Sequence, residues 1–308
     1  MSAAQAFRKH SALRGLGRGL LALALLYAAA LVFLSVTQEQ RIFFPQPMSA
    51  EDAAARLPVG IGAREVWRQA PDGTRLHAWW QPAQPGQPGP RTLMYLGGNA
   101  EDVHWRLGQA ARYPGWNLLL IDYRGYGRSQ GQPGQAALQD DALGWFDALQ
   151  AGVDGLPPQA PIGVMGTSLG SYFATHVAAQ RPVAVVVLAT PFDSVRDYIQ
   201  SKLPLVPVRW ILRHPLDSLA HAPEVKAPTL FLVAEQDITI PPERARRLFD
   251  AWQGQPKTWV LVPQSNHDTA AVQPAYAAAL ERGRKRASDV ASNAALIQEL
   301  HPSLAQTQ

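Results

Sequence analysis

Apolar residues in most of this chain form short, nearly continuous runs, and longer helical stretches lie between the runs. The runs are Thr92–Leu96, Leu118–Ile121, Ile162–Met165, Val183–Ala189, Thr229–Val233 and Thr258–Val262. Such runs are typical of parallel strands that are buried on both faces. The helical stretches include Ala136–Leu149, Tyr172–Gln180 and Glu243–Trp252. Strands that alternate with helices predict an α/β fold with a mostly parallel sheet flanked by helices.

Two segments depart from this alternation. Ala63–Gln69 and Leu76–Gln81 flank a Pro-Asp-Gly turn signal, so they predict an opening hairpin. Residues 193–228 are longer than an ordinary crossover and rich in apolar side chains, which predicts a small cap. A cap at the carboxyl edge of the sheet either lines a pocket for an acyl or similar group or simply packs on the domain, and the sequence leaves both open.

The chain begins with a candidate membrane segment. Leu20–Val36 carries no charge and, at 1.5 Å per residue, roughly spans a ~30 Å hydrocarbon core. Four Lys and Arg residues precede it, so the positive-inside rule predicts that residues 1–19 are cytoplasmic, with the rest of the chain outside the cell membrane. A cleaved signal peptide is the alternative, with small residues at Ala28–Ala30. Apolar sequence continues through Leu31–Leu34, which favours an uncleaved signal anchor over residues 20–36.

Length and charge constrain the domain organisation and the class of binding partner. A chain of 308 residues fits one large α/β domain, predicted over residues 63–285, after a linker at 37–62 and before a tail at 286–308. Net charge is only +4, and basic residues cluster at the two ends, which argues against nucleic-acid binding.

The sequence also predicts neither a metal nor a cofactor. Cysteine is absent and no zinc spacing such as HExxH occurs. The glycines at Gly125, Gly127 and Gly131 are out of register with a dinucleotide fingerprint, because Gln130 occupies the third glycine's place.

The strongest chemical signal is the pentapeptide Gly166–Gly170, a GxSxG motif between a predicted strand and a predicted helix. Small residues at both ends allow a sharp strand-to-helix turn that exposes the serine hydroxyl. An ordinary helix N-cap would explain a serine but not the paired glycines. Ser168 is therefore the predicted nucleophile.

A serine nucleophile needs a base and an acid that orients the base. His267 follows the last predicted strand and is the predicted base, while Asp237 follows the strand before it and is the predicted acid. Asp193 is a legitimate alternative acid, and chain order does not separate Asp237 from Glu235. His176 lies eight residues after Ser168 on the predicted helix that follows it, a rise of about 12 Å, which is too far for it to act as the base.

The remaining histidines receive a different interpretation. His77, His104, His214 and His221 are expected to be surface residues or to lie outside direct contact with the substrate.

The developing oxyanion needs two donors. One is the backbone N–H of Leu169, the residue after the nucleophile. The other is predicted to be the N–H of Asn99, because the glycine pair Gly97–Gly98 closes a strand with a tight turn.

In combination, these motifs resemble the α/β-hydrolase superfamily, in particular its monoglyceride-lipase-like, serine-aminopeptidase-like and depalmitoylase-like branch. Gly97–Asn99 is similar to the branch's HGN oxyanion loop, Asp122–Ser129 to its segment after the fourth strand, and Gly166–Gly170 to its elbow. The DxxxP context of Asp237, and then His267, complete the resemblance over roughly residues 60–285. Gly97 stands where relatives commonly carry His.

The resemblance implies esterase, lipase or thioesterase activity through an acyl-enzyme on a small-molecule, acyl or lipid-like substrate, with the membrane as a partner through residues 20–36. A serine peptidase that acts on short peptides is the enzymatic alternative. A non-catalytic, membrane-anchored binding protein is the alternative of another class.

Overall fold

The computed structural model describes residues 3–58, 60–83, 91–113 and 115–282, with side chains throughout except at 3–13, 110 and 111. The predicted tail at 286–308 lies outside the described residues, as do parts of the 83–90 loop. By contacts the chain divides into two compact units. We call them the anchor unit, which comprises residues up to Ile42 together with Arg196–Pro215, and the main unit, Phe43–Val195 and Leu216 onward.

The main unit is built on one eight-stranded sheet. Its strands are β1 Arg64–Gln69, β2 Arg75–Gln81, β3 Arg91–Leu96, β4 Trp116–Ile121, β5 Ile162–Thr167, β6 Val186–Ala189, β7 Thr229–Ala234 and β8 Lys257–Val262. They are ordered β1-β2-β4-β3-β5-β6-β7-β8. β2 runs antiparallel to β1 and β4, and the other pairs are parallel. The predicted hairpin and parallel sheet are confirmed.

The helices of the main unit are α3 Ala50–Arg56, α4 Gln135–Ala151, α5 Leu169–Gln180 and α8 Pro242–Ala251. α6, Val195–Lys202, starts at the border between the units, and residues 274–282 are also helical. The strands β4 and β7 are buried along their whole length, as the continuous apolar runs predicted. Side chains from β3, β4, β5, β6 and β7 form the core under the helices.

Two predicted boundaries lie three residues away from the observed ones. α5 begins at Leu169 instead of Tyr172, because the chain turns into the helix directly after Ser168. β6 begins at Val186 instead of Val183, because the Val183 N–H donates to the Arg181 carbonyl in the turn that leaves α5.

Strand register places the loops that follow β3, β5, β6, β7 and β8 at one edge of the sheet. Leu96, the last residue of β3, pairs with Gly166, and Thr167, the last residue of β5, pairs with Ala189. Ala234 at the end of β7 pairs with Val262 at the end of β8. Because these strands are parallel, the loops that follow them emerge at the same carboxyl edge of the sheet.

The anchor unit contains α1 Ala3–Thr37, α2 Glu39–Ile42 and α7 Val208–Ile211. Within α1, Arg14–Thr37 is long and apolar enough to cross a membrane, with a mean hydropathy of 2.5 and no part of that window buried. The helix is thus consistent with a transmembrane anchor, and it extends beyond both ends of the predicted span Leu20–Val36.

Candidate active site

Ser168 occupies a strained turn between β5 and α5. Its backbone φ of 50° and ψ of −116° lie in a region that residues other than glycine rarely adopt. A side chain on Gly166 would overlap the Gly170 carbonyl, and one on Gly170 would overlap the Leu96 and Gly97 carbonyls. Both glycines are therefore required for the close approach of strand and helix, as the GxSxG pattern predicted.

The three predicted catalytic side chains are in hydrogen-bond contact. His267 Nε2 lies 2.9 Å from Ser168 Oγ, and His267 Nδ1 lies 2.7 Å from Asp237 Oδ2. The N–H groups of Thr239 and Ile240 donate to the other carboxylate oxygen of Asp237, at 3.0 and 2.7 Å. These backbone donors fix the carboxylate so that Oδ2 faces the imidazole.

The partners also define the histidine tautomer. An ionised carboxylate can only accept, so Nδ1 of His267 carries a proton and donates it to Asp237. Nε2 is then the acceptor that faces the Ser168 hydroxyl. The Asp237 side chain is 1% exposed and that of His267 is 16% exposed, so the pair is shielded while the imidazole remains reachable.

The competing acids have other partners. Asp193 is buried and receives hydrogen bonds from Arg244 and Arg247 of α8, the latter at 2.6 Å. Glu235 accepts from the backbone N–H of Gln264 at 2.9 Å. Among the three candidate acids it is Asp237 that lies against His267.

His176 lies away from Ser168, in a pair with His221 whose facing ring nitrogens are 3.4 Å apart. Burial and the neighbouring His221 lower the pKa of His176 to about 4. This pair is neutral at pH 7 and belongs to the packing of α5.

His77 is fully buried, so of the two alternatives expected for the remaining histidines the surface position does not apply to it. Its Nδ1 lies 2.6 Å from Asp122 Oδ2, and burial raises the pKa of Asp122 against the opposing effect of His77. His104 is buried as well, whereas His214 and His221 are partly exposed. The His77–Asp122 pair ties β2 to the loop after β4 and does not contact the described triad.

The loop after β3 lies beside Ser168. A Cβ placed on Gly98 would lie 3.7 Å from the Ser168 Cβ. The Asn99 side-chain oxygen accepts from the Phe44 N–H at 3.0 Å and from the Tyr126 hydroxyl at 2.8 Å, which holds Asn99 in place. Leu169 is the first residue of α5, where a backbone N–H has no acceptor within the helix.

Glu101, which sequence reasoning missed, braces this loop. Its carboxylate accepts from the Gly98 N–H at 2.5 Å, the Tyr95 hydroxyl at 2.8 Å, the Trp105 indole at 2.9 Å and Arg106 Nε at 3.1 Å. The Tyr95 hydroxyl also lies 3.1 Å from Oγ1 of Thr167, the residue before Ser168. One carboxylate thus connects the loop after β3 to the elbow after β5.

Arg106 supplies the charge that balances Glu101. Its guanidinium carbon lies 4.0 Å from the Tyr95 ring centroid and 4.5 Å from that of Trp105, and the residue is only 3% exposed. Burial alone would lower the pKa of Arg106, but Tyr95 and Glu101 outweigh it and raise that pKa well above its usual value. The ion pair is therefore a fixed part of the site wall.

A cavity of about 280 Å³ adjoins Ser168. Its walls come from the loop after β3, the elbow, the residues after β6, and the segment from His267 to Tyr276. All of these belong to the main unit, so the lining gives no support to the idea that apolar cap residues line an acyl pocket. Among the described residues, no group of three or more His, Asp or Glu side chains could hold a metal ion.

Comparisons with known proteins agree with this architecture. A profile of the serine aminopeptidase S33 family matches residues 105–219, a range that includes Ser168. An uncharacterised protein of Mycobacterium tuberculosis, Rv2307c, is 34% identical over 247 residues, which cover 80% of this chain and 85% of that protein. An α/β-hydrolase domain-containing protein of Arabidopsis thaliana is 27% identical, over 78% of this chain and 84% of that protein.

Among solved structures, an esterase of Pyrococcus furiosus superposes with a TM-score of 0.57 at 15% identity, over 80% of this chain and 97% of the esterase. At that identity the likeness concerns the fold alone. The sheet order, the elbow and these relatives together define the class of protein. The chain belongs to the α/β-hydrolase superfamily.

Proposed function

We propose that this protein is a membrane-anchored serine hydrolase that cleaves ester or thioester bonds of acyl or lipid-like substrates. The observation that carries the proposal is the chain of contacts from Ser168 through His267 to Asp237, at 2.9 and 2.7 Å, on a strained elbow. A serine placed for packing alone would have no need for positive φ or for an oriented imidazole.

In the proposed mechanism, His267 Nε2 takes the proton of Ser168 as Oγ bonds to the carbonyl carbon of the substrate. The N–H groups of Asn99 and Leu169 hold the resulting oxyanion. When the carbon–oxygen or carbon–sulfur bond breaks, His267 returns the proton to the departing alcohol or thiol. Water, deprotonated by the same imidazole, then releases the acid and restores Ser168, while Asp237 stabilises the imidazolium in both steps.

The proposed substrate class rests on the surroundings of the site. The cavity beside Ser168 has about 280 Å³ and mixes apolar walls with the neutralised Glu101–Arg106 pair. Its lining also includes Asp268, next to His267, and apolar residues such as Ala271 and Val272. An anchored enzyme also meets acyl compounds of the bilayer at high local concentration.

A panel of p-nitrophenyl esters of increasing chain length, assayed beside aminoacyl p-nitroanilides, tests the bond that is cleaved. We expect turnover of esters by the wild type and none by the matched variant Ser168→Ala. Turnover of anilides alone would favour the serine peptidase alternative, which the S33 profile match supports. Absence of turnover on both series by folded protein would favour the binding-protein alternative.

We further propose that α1 is an uncleaved, single-pass anchor in the cell membrane with the main unit outside the cytoplasm. Arg14 and Arg18 precede the apolar run and favour the cytoplasmic side. Protease added to intact spheroplasts should digest the main unit, whereas protection in sealed cells would refute this orientation. An N-terminus of the mature protein near Ala30 would show a cleaved signal peptide instead.

A further inference from the structure

Arg196–Pro215, the part of the predicted cap that belongs to the anchor unit and that we call the insert, runs alongside α1. At one end, the Tyr27 hydroxyl donates to the Leu205 carbonyl at 2.6 Å. At the other end, Gln38 donates to the Ile211 carbonyl at 3.1 Å and accepts from the Arg213 N–H at 2.6 Å. The insert therefore follows the helix from Tyr27 to Gln38.

The Tyr27 contact lies deep within the apolar part of α1. Tyr27 is nine residues before Val36, a rise of about 14 Å along the helix, close to half of a ~30 Å hydrocarbon core. A tyrosine hydroxyl and a peptide carbonyl are costly in hydrocarbon unless they bond to each other, and the hydrogen bond to Leu205 satisfies both. If α1 spans the bilayer, its partner loop shares that depth.

The side chains of the loop fit this environment. Leu205 is 86% exposed and Trp210 is 78% exposed, and Leu203 is exposed as well, as are the apolar residues of α1 beside them. Exposed apolar side chains that continue from a candidate membrane helix form one surface, larger than the single exposed residues that are normal on a water-soluble protein.

Charged residues lie at both ends of the loop 203–210 and at the end of α1. Lys202 precedes the loop, and Arg209 lies with its guanidinium 5.1 Å from the Trp210 ring centroid. Arg213 and Glu39 pair at 3.3 Å, at the end of α1 where the apolar run stops. Long basic side chains that reach back to the headgroups, with tryptophan at the border, are typical of protein segments at the membrane surface.

We propose that residues 203–210 are embedded in the outer leaflet of the bilayer, next to α1. The bilayer is thus the partner of this surface, and the embedded loop would give the hydrolase a second membrane contact in addition to its anchor. This inference rests on the anchor proposed above, because the depth of Leu205 is measured along α1.

Depth-dependent fluorescence quenching tests the proposal on the full chain in lipid nanodiscs. The chain has no native cysteine, so single variants can be labelled specifically with an environment-sensitive fluorophore. Leu205→Cys and Trp210→Cys report on the loop, and Val32→Cys reports on α1. Val153→Cys is the matched control, because Val153 is an apolar residue of the main unit that is 49% exposed, in the turn after α4.

We expect spin-labelled phosphatidylcholine to quench labels at residues 205, 210 and 32 and not at residue 153, with aqueous iodide giving the opposite order. Quenching by lipid at 32 but by iodide at 205 and 210 would overturn the embedded loop and leave the anchor intact. Shielding of 205 and 210 from both quenchers would also overturn it, since a protein surface or a second copy would then cover the loop. Absence of lipid quenching at 32 would refute the anchor and this inference together, and the ester assay reports separately on the hydrolase.

Discussion

Replacement of Glu101 by glutamine tests whether one carboxylate positions the proposed oxyanion loop. The substitution keeps the shape of the side chain but replaces an acceptor oxygen with an amide that must face a donor, either the Gly98 N–H or Arg106. Hydrogen bonds to charged groups are worth ~1.5–3 kcal/mol each, and loss of one partner from a buried ion pair costs ~3–5 kcal/mol.

From these contributions we expect a loss of about 3 kcal/mol in the free energy of unfolding, which for a domain of this size corresponds to a fall in Tm of about 6–12 °C. We also expect kcat for ester hydrolysis to fall by ~10²-fold, because the loop that carries the Asn99 N–H loses its brace. KM should change much less, since the loop acts mainly on the transition state.

Two further variants separate the effect of Glu101 on the position of the loop, measured by kcat, from its effect on stability, measured by Tm. In Glu101→Gln combined with Arg106→Met, the orphaned guanidinium is removed, so Tm should partly recover while kcat stays low. Asp147→Asn, which breaks an exposed pair with Arg181, is the control and should change neither quantity appreciably. Retention of kcat within about twofold by folded Glu101→Gln protein would refute the positioning role.

Three further predictions concern Gly170, Asp237 and His176, the first two with a matched control variant. Gly170→Ala would place a methyl group against the Leu96 and Gly97 carbonyls and should prevent stable folding. The control, Gly144→Ala in α4, would meet only the movable end of the Arg68 side chain. In thermal unfolding, its Tm should be unchanged or raised. Asp237→Asn should lower kcat by ~10⁴ through the wrong imidazole tautomer, while Asp193→Asn should lower Tm with a far smaller effect on kcat; equal kcat losses would contradict the assignment. Because the folded pKa of His176 is about 4, below the usual 6.5, the unfolded chain binds more protons in that window and stability falls as pH drops from about 6.5 to 4. A Tm measured against pH should fall less steeply for His176→Gln than for wild type, and parallel curves would contradict this.

The sheet was predictable because it depends on local pattern. Runs such as Leu118–Ile121 are apolar at every position, and only a strand buried on both faces accommodates that. The elbow was predictable for a related reason, since Gly166 and Gly170 have no role in an ordinary helix start. The contacts of His267 with Ser168 and Asp237 were predictable because both residues come after strands that end at the same edge as β5.

What the sequence could not predict depends on contacts between distant residues. In the sequence, nothing distinguishes Glu101 from other acidic loop residues, because its contacts with Tyr95 and Arg106 arise only in the folded chain. His77 in β2 contacts Asp122, which lies 45 residues later in the loop after β4. A cap was predicted over residues 193–228. Its inner part, Arg196–Pro215, groups with α1 through contacts such as that of Tyr27 with Leu205, 178 residues apart.

Covalent labelling of Ser168 by a fluorophosphonate, which forms a phosphonyl–serine adduct with loss of fluoride, tests the central proposal most directly. The full-length protein is treated with a fluorophosphonate and analysed by intact mass and by peptide sequencing. We predict one adduct per chain, located on Ser168, with no adduct on folded Ser168→Ala and much slower labelling of His267→Ala. Absence of an adduct from folded wild-type protein, or an adduct on any other residue that persists in Ser168→Ala, would contradict Ser168 as the nucleophile.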